Sequence, residues 1–136
     1  MTPDELVERL INFAARVGKV VDALPDTRMG RHVGGQLVRS GTSPAPNYEE
    51  GCAAKSRADF VHKLSICLKE LRESRSWIRL IIKTQMLPEH RMRDLLMNVI
   101  SYATSSPSRF LPLKRITGAV DRSVRRSVDL KLQFRN

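Results

Sequence analysis

Residues 56–85 read SRADFVHKLSICLKELRESRSWIRLIIKTQ, the longest regular pattern in the chain. Apolar or small residues recur there at alternating intervals of four and three, the spacing of a helix packed in a bundle. These positions are Phe60, Leu64, Cys67, Leu71, Ser74, Ile78 and Ile81. Ser56 suits the N-cap, and Asp59, three residues later, resembles the second half of a capping box. The stretch predicts a rod roughly 43 Å long.

The residues before this rod predict a first helix over positions 2–24. Thr2 suits the N-cap, Pro3 suits the first helical position, and Pro25 ends the helix. One apolar stripe runs along it at spacings of four and three. Its members are Leu6, Leu10, Phe13, Val17 and Val20. This helix is therefore expected to bury one face against the rod.

A second helix begins after Asp26 or Thr27, either of which can cap it. Three glycines weaken it by roughly 1 kcal/mol each relative to alanine. They are Gly34, Gly35 and Gly41. Pro44 removes a helical hydrogen bond, so we expect a kink there, with Ser43 capping a fresh helix that runs to about Ala54.

Downstream, Leu87-Pro88-Glu89 predicts a turn and the start of a further helix. Its apolar face comprises Met92, Leu95, Leu96, Val99, Ile100 and Ala103. Four helices joined by short connections predict an all-α, antiparallel, up-down-up-down four-helix bundle over residues 1–104. Residues 105–136 are expected to form a basic C-terminal arm, extended over 109–115. Within the arm, residues 117–132 are consistent with a short helix striped by Val120, Val124, Val128 and Leu132.

Length and composition exclude several protein classes. The 136 residues suit one domain, and no apolar run approaches the roughly 20 residues that span a bilayer. The first residues are acidic and polar rather than those of a secretory signal, and Cys52 and Cys67 stand alone. We therefore expect a cytoplasmic protein without disulfides or structural zinc. The net charge is +10, of which +6 lies in residues 105–136, so an acidic partner is favoured.

The sequence lacks the motifs of common catalytic and cofactor sites. His32, His62 and His90 fall on three predicted elements, and there is no GxSxG, HExxH, Walker loop or GxGxxG. Glu50 and Glu70 are the residues we would assign to acid–base work, but no nucleophile or metal set accompanies them. We expect a protein that is not an enzyme and needs no cofactor or metal.

Two polar stripes are expected to face each other across neighbouring helices. The first comprises Gln36, Arg39, Ser43, Asn47 and Glu50, and the second comprises Lys63, Glu70 and Trp77. Buried polar groups need partners, so facing stripes would form a network that fixes register. Such a network would lie within the chain or at a subunit interface, and a ligand-reading site is the third interpretation. Lys69 and Glu73, four residues apart, are placed to form an ion pair.

Basic residues form a row on the rod and a second cluster in the arm. The row is Arg72, Arg75, Arg79 and Lys83, and the cluster is Arg122, Arg125 and Arg126. A row of this kind either tracks a phosphate backbone or is simply a solvated face. Few aromatic residues are available for stacking, so contact with structured RNA or duplex is favoured over base readout in single strands.

Residues 36–77 resemble a known bacterial family. They read QLVRSGTS at 36–43, NYEEG at 47–51, KSRADF at 55–60 and LKELRES at 68–74, followed by Trp77. This pattern is similar to that of the four-helix proteins encoded in 23S ribosomal RNA intervening sequences, also called the S23 ribosomal protein family. The matching positions are Gln36, Arg39, Ser43, Asn47, Glu50, Phe60, Lys69, Glu70, Glu73 and Trp77.

The resemblance implies a homo-pentameric ring of up-down-up-down bundles. It also implies kinship with the accessory variability determinant of diversity-generating retroelements, a basic pentamer that binds nucleic acid and a reverse transcriptase. The chain departs from the family pattern at Ser43-Pro44-Ala45-Pro46, which has an added proline, and after about Asp94. Residues 105–136 have no counterpart in the pattern.

Three hypotheses follow. The first is a homo-oligomeric bundle that binds nucleic acid electrostatically through the basic row and the arm, with the polar residues holding the bundle or ring in register. The second is a scaffold for a protein partner, such as a reverse transcriptase or a ribosome component, with the arm's valines docking on a neighbouring subunit. An enzyme using Glu50 and Glu70 ranks last.

Overall fold

Four helical columns form an antiparallel bundle in this computed structural model, which describes residues 2–103. The second column is divided, so the helices are α1 (Pro3–Ala23), α2 (Arg28–Thr42), α3 (Pro44–Ala53), α4 (Arg57–Lys83) and α5 (Glu89–Ala103). α1 packs on α2, α3 and α5, and α4 packs on the same three helices from the opposite corner. The described residues contain no strand, so the predicted all-α bundle is confirmed.

The start of α1 is fixed by a capping box. The Thr2 hydroxyl accepts a hydrogen bond from the Glu5 amide at 3.2 Å, and the Glu5 carboxylate accepts one from the Thr2 amide at 2.7 Å. The bond from the Thr2 backbone, above all, holds the pKa of the Glu5 carboxyl below its usual value. Thr2 was expected to cap, and the reciprocal bond follows from the Thr-x-x-Glu spacing.

The predicted break at Pro44 is present, but the expected capping by Ser43 is wrong. Ser43 has helical backbone angles (φ −72°, ψ −36°), and its side chain makes no capping bond. Its amide still donates to the Arg39 carbonyl at 3.2 Å, and its carbonyl accepts from the Asn47 amide at 3.3 Å. The helical path continues through Ser43, so Pro44 divides the column without a fresh N-terminus that needs a cap.

The buried residues of α1 and α4 are those that the helical spacing predicts. All seven seam positions of α4 are buried, and Leu68 widens that face. On α1 the first four stripe positions are buried and Val20 is partly buried. The close approach of α1 and α2 explains one glycine: a Cβ at Gly41 would lie 2.8 Å from both methyl carbons of Val17.

A left-handed residue ends α4. Gln85 has φ 56°, its amide donates to the Ile82 carbonyl at 3.1 Å, and the Met86 amide donates to the Ile81 carbonyl at 3.2 Å. This pair of bonds is the Schellman motif, which usually places glycine at the left-handed position. The turn lets α5 begin at Glu89, as the Leu87-Pro88-Glu89 pattern predicts.

The two cysteines are thiols, and Cys67 is fully buried in the core. Burial raises the pKa of Cys67 to about 12, with a smaller contribution from Cys52. Burial also raises the pKa of Tyr48, which lies in α3 with only 1% of its surface exposed.

Candidate functional site

Arg39 of α2 links the two polar stripes by reaching across to α4. Its Nη1 lies 3.0 Å from the Glu70 carboxylate, and its Nη2 contacts the Glu73 carboxylate. The Arg39 Nη2 also lies 3.4 Å from the side-chain oxygen of Gln36, one turn earlier on α2. The Arg39 side chain is 50% exposed, whereas that of Glu70 is 12% exposed. One half-exposed cation therefore neutralises two largely covered carboxylates.

Trp77 extends this cluster towards the α2 N-terminus. Its indole Nε1 donates to the Glu73 carboxylate at 3.2 Å. The ring of His32 meets the indole edge-on, with centroids 5.9 Å apart and planes at 85°. His32 is exposed and lies four residues before Gln36, on the same face of α2.

The junction between α2 and α3, together with α3 itself, contributes the remaining members of the first polar stripe. The Asn47 side-chain amide donates to the carbonyl and the hydroxyl of Ser43, both at 2.9 Å. Lys63 of α4 lies 2.6 Å from the Glu50 carboxylate of α3. The stripes thus face each other within one chain along the α2–α4 side of the bundle.

Beneath this row lies a buried contact between two serines, which the sequence interpretation did not anticipate. The Ser74 hydroxyl donates to the Ser40 hydroxyl at 2.9 Å, and both residues are fully buried. Ser74 does occupy a predicted seam position, and a polar residue in a seam indicates a partner on the facing helix.

Lys69 does not join the network. It is exposed, and among the described residues it forms no ion pair, because Glu73 turns to Arg39 and Trp77 instead. The expected pair between Lys69 and Glu73 is therefore wrong. A carboxylate shared with an arginine and an indole has a better set of donors than one exposed lysine offers.

The basic row lies on the other flank of α4. At 100° per residue, Arg72, Arg75 and Arg79 point towards the α5 side, away from Glu70 and Trp77. Arg72 and Arg75 are partly buried, while Arg79 and Lys83 are exposed. Within residues 2–103 none of the four forms an ion pair, and the Arg75 Nε is buried without a hydrogen-bond acceptor.

Other predicted candidates are separated or lie elsewhere in the chain. Glu50 and Glu70 bind different cations, Lys63 and Arg39, and do not meet. Residues 2–103 hold no group of three or more histidine, cysteine or carboxylate side chains placed to bind a metal. Arg122, Arg125 and Arg126, and the short helix over 117–132, lie outside the described residues. Within residues 2–103, no helix is long and apolar enough to span a membrane.

Comparison with known proteins identifies the family of this bundle. The family model described as 23S rRNA-intervening sequence protein matches residues 5–104. A crystal structure of a protein of unknown function of the S23 ribosomal protein family from Bacteroides thetaiotaomicron superposes with a TM-score of 0.67 at 30% sequence identity. That match covers 71% of this chain and 90% of the other. None of the curated proteins compared with the chain matches it. The chain belongs to the 23S rRNA-intervening sequence protein family.

Proposed function

We propose that this protein is a non-enzymatic, homo-oligomeric bundle that binds nucleic acid in the cytoplasm through backbone phosphates. The observation that supports this best is the unneutralised basic row of α4. Arg72, Arg75, Arg79 and Lys83 have no carboxylate within ion-pair distance among the described residues. The cations of the α2–α4 side, Arg39 and Lys63, are by contrast neutralised by glutamates.

The spacing of the row suits a phosphate backbone. Successive members are three or four residues apart, so they rise by roughly 4.5–6 Å along α4. Four such cations along one flank present a line of positive charge that a strand of phosphates can follow without base contacts. The family's description refers to 23S rRNA, so a structured RNA is the first probe and duplex DNA is the second.

The salt dependence of binding tests the proposal. Fluorescence anisotropy with a labelled RNA hairpin and a labelled DNA duplex would compare the full chain with Arg72→Gln/Arg79→Gln/Lys83→Gln. The matched control is Lys19→Gln/Arg28→Gln/Lys55→Gln, which removes the same charge from exposed positions elsewhere. We expect the α4 variant to flatten the plot of log K against log salt by about 0.9 per lost duplex contact.

The control should change the salt slope much less than the α4 variant. Equal losses in both variants would mean that only bulk charge matters, and no binding at low salt would reject nucleic-acid binding. A third variant, Arg122→Gln/Arg125→Gln/Arg126→Gln, measures the contribution of the C-terminal arm in the same assay.

Oligomerisation is the second part of the proposal. Large apolar side chains remain exposed on the single chain: Ile11 is 43% exposed, Met29 45%, Val38 37% and Met97 59%. Such side chains are candidates for subunit contacts, and the family resemblance suggests a pentamer. Sedimentation equilibrium measures the assembly mass directly, and a monomer at micromolar concentration would reject this part.

The same exposed apolar residues favour one alternative function, a scaffold for a protein partner such as a reverse transcriptase or a ribosome component. In that case Val38→Ser or Met97→Ser would weaken partner binding while leaving the salt dependence of any nucleic-acid binding unchanged.

A further inference from the structure

α5 presents one arginine to α4 and another to α1. Relative to the buried Met92, Arg93 and Arg91 lie about 100° to either side, because neighbouring residues of a helix are that far apart. Tyr102 lies on the Arg91 side, about 80° from Met92, and its ring meets that of Phe13 of α1 at 6.2 Å. The Arg91 flank therefore faces α1, and the Arg93 flank faces α4, the other helix on which α5 packs.

The basic row of α4 lies on the facing flank, and part of it lies at the same level as Arg93. Relative to the buried Leu71, Arg75 and Arg79 lie about 40° and 80° towards α5. In an antiparallel pair joined by a short turn, residues equally far from the turn lie side by side. Arg79 and Arg93 are equally far from Met86, the middle of the turn, so they face each other across the groove between α4 and α5. Arg75 precedes Arg79 by one turn and lies closer to the core.

No carboxylate within ion-pair distance neutralises these arginines. In the described part of the chain, Arg75, Arg79 and Arg93 form no ion pair. The two carboxylates of α5, Glu89 and Asp94, are exposed and form none there either. Two guanidinium groups on facing flanks repel each other, and an anion held between them offsets that repulsion. The groove therefore favours an anionic occupant.

A buried donor at the base of the groove indicates the same kind of occupant. The Nε of Arg75 is buried and has no hydrogen-bond acceptor among residues 2–103. Buried polar groups of native proteins are almost always hydrogen-bonded, so this N–H indicates an acceptor from outside the described bundle. A phosphate oxygen suits it, because the planar guanidinium binds phosphate through paired N–H donors.

We propose that Arg75, Arg79 and Arg93 form a clamp for one backbone phosphate of a bound nucleic acid, seated between α4 and α5. Arg79 and Arg93 hold the phosphate from the two walls of the groove, and the Arg75 guanidinium donates to it from the base. The other members of the row, Arg72 and Lys83, meet neighbouring phosphates along α4. This inference rests on the proposed nucleic-acid binding and adds α5 to the contact surface.

Neutralising the two arginines of α5 one at a time tests the clamp. Arg93→Gln and Arg91→Gln remove the same charge from exposed positions on opposite flanks of one helix. In the anisotropy assay with the RNA hairpin, we expect Arg93→Gln to weaken binding about tenfold at low salt, the usual effect of losing a charge-assisted hydrogen bond. Its salt slope should also fall by about one contact. Arg91→Gln should stay close to the natural chain in both respects.

A conservative substitution tests the Arg75 Nε. Arg75→Lys keeps the charge and removes this donor, so it should weaken hairpin binding by about threefold to tenfold without changing the salt slope. Because the Nε has no acceptor in the described part of the free chain, the Tm of the free variant should change little. Unchanged hairpin binding, or a loss that merely follows a fall in Tm, would remove Arg75 from the clamp.

The outcomes separate the clamp from the proposed function. If the natural chain binds the hairpin and Arg93→Gln and Arg91→Gln lose equal affinity, the proposed function stands and the clamp is wrong. If the natural chain does not bind at low salt, the proposed function fails and the clamp fails with it. A change in assembly mass with Arg93→Gln alone, measured by sedimentation equilibrium without RNA, would assign Arg93 to a subunit contact instead. If millimolar inorganic phosphate raises the Tm of the natural chain as much as the hairpin does at equal ionic strength, the ligand is a free phosphate rather than a nucleic acid.

Discussion

At the scale of single residues, the two flanks of α4 differ in how their charges are balanced. Glu70 and Glu73 are both satisfied by Arg39, and Glu73 also accepts from the indole of Trp77. Removing a shared cation leaves covered carboxylates without partners, which costs more than the pair itself contributes. Arg39 therefore has a structural partner set, whereas the cations on the other flank of α4 form no ion pair among residues 2–103.

Replacing Arg39 tests this assignment. We expect Arg39→Met to lower the free energy of unfolding by about 1–2 kcal/mol, because Glu70 loses its cation while only 12% exposed. Arg31→Met is the matched control, since its partner Asp26 is 91% exposed, and it should change stability by less than about 0.5 kcal/mol. Urea unfolding followed by Trp77 fluorescence measures both variants.

A second substitution identifies the cause of the loss. Glu70→Gln in the Arg39→Met background should recover part of the lost stability, because the uncompensated charge is gone. If the double variant is less stable than Arg39→Met by the full effect of Glu70→Gln alone, the two residues are not energetically coupled.

At the scale of helices, Gly35 and Gly41 of α2 act differently although helix propensity treats them alike. A Cβ at Gly35 meets nothing within 4 Å, whereas a Cβ at Gly41 meets the Val17 methyls at 2.8 Å. Gly35 therefore only weakens the helix, while Gly41 permits the close approach of α1. Helix propensity cannot separate these two roles, because the second depends on a neighbour distant in sequence.

Alanine substitution distinguishes the roles of Gly35 and Gly41. Gly35→Ala should stabilise the bundle by up to about 1 kcal/mol through helix propensity. Gly41→Ala should destabilise it by about 1–3 kcal/mol, because α1 must move or Val17 must leave its preferred rotamer. Thermal unfolding of the two variants side by side is the measurement, and a stabilising Gly41→Ala would show that α1 adapts without cost.

What the sequence could predict follows the same division between local pattern and distant contact. The seam of α4 and the facing of the polar stripes follow from helical spacing, which is why Arg39 and Glu70 could be placed on facing stripes in advance. The continuous backbone at Ser43, the left-handed Gln85 and the choice of Glu73 for Arg39 over Lys69 depend on competing partners. Helical spacing does not show which of several competing partners a group will bind, so these features can be seen only in the folded structure.

At the scale of the whole molecule, the buried thiol and phenol tie stability to pH. Cys67 in α4 and Tyr48 in α3 belong to one core with α1 and α5, so a charge on either group is unfavourable in the folded state. Burial raises the pKa of both groups, which means that the folded state holds their protons more tightly than the unfolded chain does.

Alkaline unfolding should show this linkage. Below pH 9.0, the ordinary pKa of a thiol, Cys67 keeps its proton in both the folded and the unfolded state, so its contribution to stability is fully present. Between pH 9.0 and about 12 only the unfolded chain loses this proton, so the free energy of unfolding falls as the pH rises. We expect a slope of about 1.4 kcal/mol per pH unit from this one group, with Tyr48 adding to it at higher pH. Urea unfolding at a series of pH values under reducing conditions measures the slope. Cys67→Ala should flatten it between pH 9 and 10, and an unchanged slope in that variant would show that Cys67 does not carry the linkage.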